Sequence, residues 1–179
     1  MSVPELYGLV LTGGQSRRMG RDKALLPDGQ RTRLDVCYAA LSAVCTTVWV
    51  SARPGQPRGT YSVIGDRFGH IGPLDGILSA MLTFPAPAWL VLACDMPGVD
   101  EAVLRCLVAH RDPARPGTAF RNPEDGRPEP LCAIYEPTMH ADLLAALDRG
   151  ITSPRDVITV ADVLLIDPPQ PTALRNVNR

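Results

Sequence analysis

The sequence predicts an α/β fold, with a single doubly wound, mostly parallel sheet. Short apolar runs alternate with amphipathic stretches along the chain, which is typical of a parallel sheet covered by helices on both faces. The most apolar short run, Trp89–Ala93, has the composition of a central strand. Thr12, Gly13 and Gly14 directly follow the first apolar run, so the chain turns at the edge of the sheet where such folds bind ligands.

The predicted strands are short apolar or alternating runs, most of which end at turn-forming residues such as glycine, proline and aspartate. In chain order they are Leu9–Leu11, Thr47–Ala52, Tyr61–Ile64, Trp89–Ala93, Gly117–Phe120, Leu131–Tyr135 and Asp162–Ile166. The stretch 121–129 is predicted to be a polar loop between the fifth and sixth of these strands.

The predicted helices carry apolar residues at intervals of three and four positions. Gly72-Pro73 opens the second helix, Asp100 or Glu101 lies near the start of the third, Gly150 stops the fourth and Ser153-Pro154 starts a short fifth. The first four are Leu34–Val44, Leu74–Phe84, Ala102–His110 and Met139–Leu147.

Length and composition predict one domain over residues 1–179, large enough to bury a substantial core. The net charge of −1 argues against a general affinity for nucleic acids or membrane surfaces. The N-terminus does not resemble a signal peptide and no apolar run approaches a membrane span, so a cytoplasmic location is expected. The five cysteines are irregularly spaced, which predicts buried thiols rather than a zinc site or a disulfide framework.

The segment after the first strand is the strongest functional signal. Residues 15–23 contain four cations, Arg17, Arg18, Arg21 and Lys23, against one carboxylate. Backbone donors of a glycine turn and clustered positive charge stabilise phosphoryl oxygens, so this segment predicts a phosphate site. The spacing fits neither a P-loop nor a dinucleotide-binding fingerprint. The alternative is a solvated basic loop.

The pattern Leu-x-Gly-Gly-x-Ser-x-Arg-Met-Gly-x-Asp-Lys runs from Leu11 to Lys23. It closely resembles the opening of the nucleotidyltransferases that attach a nucleotide to the molybdenum cofactor, chiefly the molybdenum cofactor guanylyltransferases (MobA-like). The resemblance is densest at residues 9–26, 66–77 and 94–97. It implies a Rossmann-like nucleotidyltransferase fold and transfer of GMP from GTP to the terminal phosphate of molybdopterin, with release of pyrophosphate.

Two carboxylates follow predicted strands at the same edge of the sheet. Asp95 comes just after the central strand, which makes it the best candidate for a Mg²⁺ ligand; the alternative is a turn aspartate before Pro97. Asp66 is, from the residues alone, a turn residue as often as a ligand. The resemblance implies that Asp95 binds magnesium in the Cys-Asp-Met-Pro segment and that Asp66 contacts the nucleotide.

The resemblance also assigns roles in the basic segment. It implies backbone contacts to the nucleotide from Gly13 and Gly14, phosphate contacts from Arg18 and Lys23, and a base lined by Leu11 and Thr12. The expected cofactor is Mg²⁺ and the expected substrates are GTP and molybdopterin. Proteins that deliver or receive the cofactor are possible partners.

Two rival functions remain open at this stage. A cytidylyltransferase on the same cofactor, or a relative acting on another phosphorylated acceptor, would share the basic segment, so the choice of nucleotide cannot be read from it. A non-catalytic nucleotide-binding domain is the rival of another class. The joint presence of Arg18, Lys23 and Asp95 weighs against it, because a binder does not need all three.

Three further features carry less information. Glu129 lies where the family's polar acceptor-side loop is expected, and the sequence leaves open whether it does more than solvate that loop. Asn176 and Asn178 resemble a closing Asn-x-Asn-Thr-Pro segment, but Arg179 stands in place of the threonine, so the C-terminus is expected to be short. The three histidines have no metal-binding spacing.

Overall fold

A computed structural model describes residues 3–12, 24, 27–28, 31–56, 58–69 and 71–175. Its strands are β1 (Leu6–Leu11), β2 (Pro27–Asp28), β3 (Arg31–Thr32), β4 (Thr47–Ala52), β5 (Val63–Gly65), β6 (Ala88–Ala93), β7 (Gly117–Arg121), β8 (Pro128–Tyr135) and β9 (Leu164–Ile166). Its helices are α1 (Arg33–Ser42), α2 (Pro73–Thr83), α3 (Glu101–Ala109), α4 (Met139–Asp148) and α5 (Pro154–Val160).

Seven strands form one sheet in the order β5-β4-β1-β6-β8-β7-β9, while β2 and β3 form a separate small hairpin. In this sheet β8 runs antiparallel to its neighbours β6 and β7, and the other strand pairs are parallel. The chain passes from β1 to β4 and β5 on one side and then crosses to β6 on the other. The gap between β1 and β6 is therefore the topological switch point, where open α/β sheets bind their ligands.

The core lies on both faces of the central strands. All six residues of β6 are buried, as the apolar run predicts for a strand covered on both sides. Three of the cysteines, Cys37, Cys94 and Cys132, are buried, and all five are free thiols. In the part of the chain that is described, no helix is long and apolar enough to cross a membrane. The predicted mostly parallel α/β fold is confirmed.

Local sequence signals set several helix ends. Thr32 and Asp35 form a reciprocal capping box at the start of α1, which satisfies backbone donors that have no partner inside the helix. At the end of α4, Gly150 has a φ of 78°. There the amide of Gly150 donates to Leu147 and that of Ile151 donates to Ala146, which is the Schellman arrangement that a glycine favours.

Strand boundaries were predicted less well than strand existence. β1 starts three residues before the predicted Leu9, β5 starts at Val63 rather than Tyr61, and β9 starts at Leu164 rather than Asp162. Tyr61 is outside the strand because its hydroxyl donates to Asp35 at the α1 cap and its ring packs on Tyr38. The β2–β3 hairpin was not predicted, since two residues per strand are too few to show a period.

The predicted polar loop over residues 121–129 is wrong at both ends. β7 continues to Arg121, and β8 already begins at Pro128, so Glu129 is a strand residue. Pro128 and Pro130 flank Glu129 within β8, although proline cannot donate to a sheet ladder. The pairing of β7 with β8 shifts register between Ala119 and Arg121, and an irregularity of this kind is where a sheet tolerates proline.

Candidate active site

The described candidate residues meet at one edge of the sheet. Thr12 follows β1, Asp66 follows β5, and Asp95 lies two residues after β6. β4 and β6 flank β1, with Ser51 and Ala93 both opposite Leu11. We call this edge, defined by Thr12, Ser51, Asp66 and Asp95, the ligand rim. The structure brings these four residues together at the carboxyl ends of parallel strands.

A chain of hydrogen bonds connects three strand ends at the ligand rim. The Nε of Arg58 donates to Thr12 Oγ1 at 3.0 Å, and the Thr12 hydroxyl donates to the Ser51 carbonyl oxygen at 2.6 Å. The Ser51 hydroxyl in turn donates to Asp66 Oδ1 at 2.8 Å. Arg58 and Ser51 were not predicted from the sequence. No local pattern marks them, because their partners are distant along the chain.

Asp75 fixes the segment that follows Asp66. Its carboxylate is fully buried near the start of α2 and accepts hydrogen bonds from the amides of Arg67 and Phe68 at 2.7 and 3.0 Å. The Ser79 hydroxyl donates to the same oxygen at 3.2 Å. A buried carboxylate satisfied by backbone amides holds those amides in place. Sequence reasoning missed Asp75, although an acidic residue among the apolar residues of α2 was a usable signal.

The two glycines near the start of α2 have different roles. Gly72 precedes the helix with a φ of 81°, a conformation that glycine adopts without steric cost. Gly76 packs closely on the sheet, since an added Cβ would collide with the Ser51 hydroxyl and lie 2.8 Å from Leu11 Cδ2. Gly76 thus makes room for β1 and β4. The close neighbours of Gly76 are therefore the protein's own atoms.

Leu11 and Thr12 differ in what they present to the rim. Leu11 is 5% exposed and its side chain lies in the core beneath α2. The Leu11 carbonyl oxygen accepts a hydrogen bond from the Cys94 amide at 3.3 Å. Thr12 is also buried and its hydroxyl is held by Arg58 and Ser51. The end of β1 is therefore fixed on both sides before the chain enters the glycine pair.

Asp95 is half-buried at the switch point. β6 and β8 pair with Leu92 opposite Cys132, and Asp95 lies in the turn that follows β6. The pKa of the Glu129 carboxyl is raised, first by burial and also by the negative charge of Asp95.

Glu129 is 1% exposed and does not solvate a loop. Its Oε1 accepts from the Leu131 amide at 3.1 Å, and its Oε2 accepts from Asn122 at 3.3 Å and from Arg155 at 3.0 Å. These contacts answer the question that the sequence left open. Glu129 is a buried carboxylate that ties the β7–β8 connection to α5 beside Asp95.

Four of the predicted site residues, Gly13, Gly14, Arg18 and Lys23, lie outside the described residues, as do Asn176 and Asn178. The last part of the described chain reaches the segment after Asp95. An added Cβ on Gly98 would lie 2.7 Å from the Ala173 carbonyl oxygen, and Ala173 and Leu174 are buried. The end of the described chain thus packs against Gly98, three residues beyond Asp95.

The rim presents carboxylate oxygens of the type that bind hard divalent cations. Carboxylate oxygen is a hard ligand suited to Mg²⁺, and Asp95 is the acidic residue of the rim nearest the switch point. Among the described residues there is no group of three or more His, Cys, Asp or Glu that could hold a metal ion.

Comparison with known proteins identifies the family. Residues 8–164 match the family model described as the MobA-like NTP transferase domain. The chain belongs to this family. The nucleotidyltransferase resemblance inferred from the Leu11–Lys23 pattern is therefore confirmed.

Relatives of this MobA-like chain carry related names. It is 36% identical to the molybdenum cofactor biosynthesis bifunctional protein of Synechocystis over 99% of this chain, but spans only 52% of that protein. It is 35% identical to a probable molybdenum cofactor guanylyltransferase of Mycobacterium avium, over 97% of this chain and 91% of that protein.

A solved structure shares the fold. The molybdopterin-guanine dinucleotide biosynthesis protein A of Archaeoglobus fulgidus superposes with a TM-score of 0.71 at 23% identity, covering 90% of this chain and 83% of that one. A solved protein thus has the same overall fold.

Proposed function

We propose that this chain transfers GMP from GTP to the terminal phosphate of molybdopterin and releases pyrophosphate. The observation that carries the proposal is the position of Asp95 at the switch point, beside the end of the strand that leads into the glycine pair. Family membership supports nucleotidyl transfer. The name of the mycobacterial relative, which this chain nearly spans, supports the guanylyl group and the molybdenum cofactor.

The residues divide into those that bind the nucleotide and those that neutralise charge. Backbone amides of Gly13 and Gly14 are proposed to contact the nucleotide, with Leu11 and Thr12 near the base and Asp66 as a further contact. Arg18 and Lys23 are proposed to bind the phosphates. Asp95 is the proposed ligand of Mg²⁺, which when bound neutralises charge on the phosphate oxygens.

The protein needs to supply little covalent chemistry for such a transfer. The acceptor phosphate attacks the α-phosphorus of GTP, a new P–O bond forms and the bond to pyrophosphate breaks. The protein's part is to align the two phosphates and to stabilise the charge that grows on the leaving group. The basic segment 15–23 and the rigid end of β1 are suited to these two tasks.

Two observations make the rim a rigid platform for this work. Thr12, Ser51 and Asp66 are joined by hydrogen bonds at 2.6 and 2.8 Å, so the ends of β1, β4 and β5 hold one another. Asp75 fixes the backbone after Asp66. Preorganised groups lose little energy to rearrangement as the reaction proceeds, which is the main source of electrostatic catalysis.

The test is release of pyrophosphate with GTP, CTP, ATP or UTP, each with and without molybdopterin, at a fixed Mg²⁺ concentration. We expect release with GTP that requires the acceptor. Release with CTP alone would favour the cytidylyltransferase, and release only with another phosphorylated compound would favour the relative with a different acceptor. Binding of a triphosphate without any release would favour the non-catalytic domain. Proteins that deliver molybdopterin or receive the dinucleotide are further expected partners.

A further inference from the structure

Arg58 is a buried arginine that the proposed reaction does not yet use. It lies in the connection between β4 and β5 and is 3% exposed. Arginine is rarely so deeply buried, because removing a guanidinium from water is costly unless specific contacts compensate. Its position in this fold therefore depends on the groups that it contacts.

The contact with Thr12 is directional. The Thr12 hydroxyl has one proton, which it donates to the Ser51 carbonyl oxygen at 2.6 Å. The oxygen of that hydroxyl can then only accept, and it accepts from Arg58 Nε at 3.0 Å. An N–H donor that keeps its proton at all ordinary pH values suits this place, and arginine is such a donor. Arg58 thus fixes the orientation of the Thr12 side chain.

Thr12 occupies the last described position before the glycine pair. Ser51, whose carbonyl oxygen accepts from Thr12, donates from its own hydroxyl to Asp66. A row of hydrogen bonds therefore runs along the rim from Arg58 through Thr12 and Ser51 to Asp66.

We propose that Arg58 is a positioning residue for nucleotide binding, which acts through the Thr12 hydroxyl to fix the backbone where β1 enters the glycine pair. The inference rests on the proposed function. Arg58 joins three segments that meet at the rim, namely the β4–β5 connection, the end of β1 and, through Ser51, Asp66. Without it, the end of β1 keeps its bond to Ser51 but loses the contact that orients the Thr12 side chain from the other side.

The test is a double-mutant cycle on GTP affinity, measured by calorimetry with Mg²⁺ and without acceptor. The variants are Arg58→Met, Thr12→Val and the pair of them. Each single change should weaken GTP binding about tenfold or more, as expected for a hydrogen bond to a charged group. The double variant should be no weaker than the weaker single variant, because both changes break the same link. Independent, multiplying losses would overturn the proposal.

Controls separate this role from general damage to the fold. Thr12→Ser keeps the hydroxyl and should restore most of the affinity lost in Thr12→Val. Arg105→Met removes an exposed arginine paired with Glu101 on α3 and should leave GTP affinity unchanged. Methionine is a reasonable replacement for Arg58, because it is flexible and apolar and fills irregular gaps in a core.

The experiment distinguishes a failure of the proposed role of Arg58 from a failure of the proposed function. If the unaltered protein binds no triphosphate, the proposed function fails. If it binds GTP and Arg58→Met binds GTP equally well, only the role of Arg58 fails. If Arg58→Met does not fold, the Thr12→Val and Thr12→Ser pair decides. Loss in the valine variant with retention in the serine variant supports the proposal, and wild-type affinity in the valine variant overturns it.

Discussion

Asp95 and Arg58 differ in how far the sequence predicts their positions. Its place after an apolar strand made it the predicted Mg²⁺ ligand, and the structure sets it at the switch point. Asp66 likewise follows a strand, β5, and lies at the same rim. Arg58 and Thr12 are 46 residues apart, and Thr12 and Ser51 are 39 residues apart. Contacts of this kind depend on the folded sheet, so no spacing in the sequence could predict them.

For Asp95→Asn we expect a folded protein that loses most Mg²⁺-dependent turnover, on the order of 10²-fold or more. Asparagine keeps the shape of the side chain but removes the negative charge that a hard cation needs. The measurement is pyrophosphate release against Mg²⁺ concentration, with Asp142→Asn, an exposed change on α4, as the control. Equal activity in the two variants would remove Asp95 from the site.

Lys23, which lies outside the described residues, is the residue of the basic segment with the sharpest kinetic prediction. Lys23→Ala should lower both the affinity for GTP and the rate, because an ammonium at the triphosphate meets charge that is already present and charge that grows as pyrophosphate leaves. Lys23→Arg should rescue poorly, since a planar guanidinium does not replace a compact ammonium. Steady-state kinetics with GTP varied at saturating acceptor measure both effects. A near-normal kcat/KM in the alanine variant would contradict the phosphate role.

At the level of the elements, helix ends were more predictable than strand ends. Proline and the capping residue Ser153 marked the start of α5, and Gly150 marked the end of α4, because each acts through the local backbone. β8 was harder, since its first residues are a proline, a glutamate and a second proline. Burial of Glu129 is decided by Arg155 and Asn122, which lie elsewhere in the chain.

Gly76→Ala should destabilise the protein although alanine is the better helix former. The added methyl group would meet the Ser51 hydroxyl and Leu11, and overpacking of this kind costs about 1 to 3 kcal/mol. This exceeds the gain of roughly 1 kcal/mol in helix propensity. Gly65→Ala is the control, because its added Cβ meets nothing within 4 Å. Urea denaturation compares the two variants, and equal midpoints would contradict the close packing of α2.

The α1 cap gives a prediction with a defined pH dependence. The pKa of Asp35 is lowered, first by the hydrogen bond from the Tyr61 hydroxyl and then by bonds from Thr32. A carboxyl whose pKa is lowered on folding stabilises the fold above its unfolded pKa, and this contribution is lost as the pH falls through the folded pKa. Tyr61→Phe should therefore reduce stability most near neutral pH.

The measurement for that variant is the melting temperature of wild type and Tyr61→Phe across the acidic and neutral range. The difference should shrink as the pH falls below the ordinary aspartate pKa of 3.8, because Asp35 then becomes protonated in both proteins. A difference that stays constant from neutral to strongly acidic pH would contradict the link to the charge of Asp35. The absence of any difference would show that Tyr61 acts only through the packing of its ring on Tyr38, which phenylalanine keeps.

For the whole molecule, the alternation of strands and helices was enough to predict the fold class. The alternation did not predict the order of the strands in the sheet. The antiparallel direction of β8 between β6 and β7 could not be predicted from the sequence of that strand alone. β8 brings Glu129 and its contact with Arg155 to the side of the switch point opposite β4 and β5. The rim therefore has one side formed by Thr12, Ser51 and Asp66 and a second, charged side.

The most direct test of guanylyl transfer follows the fate of each phosphate. GTP labelled at the α-phosphate or at the γ-phosphate is incubated with the protein, Mg²⁺ and molybdopterin, and the products are separated. The account predicts that the α-label appears in the dinucleotide form of the cofactor and the γ-label in pyrophosphate. Appearance of the γ-label in the acceptor or in free phosphate, with the α-label remaining in GDP, would contradict nucleotidyl transfer.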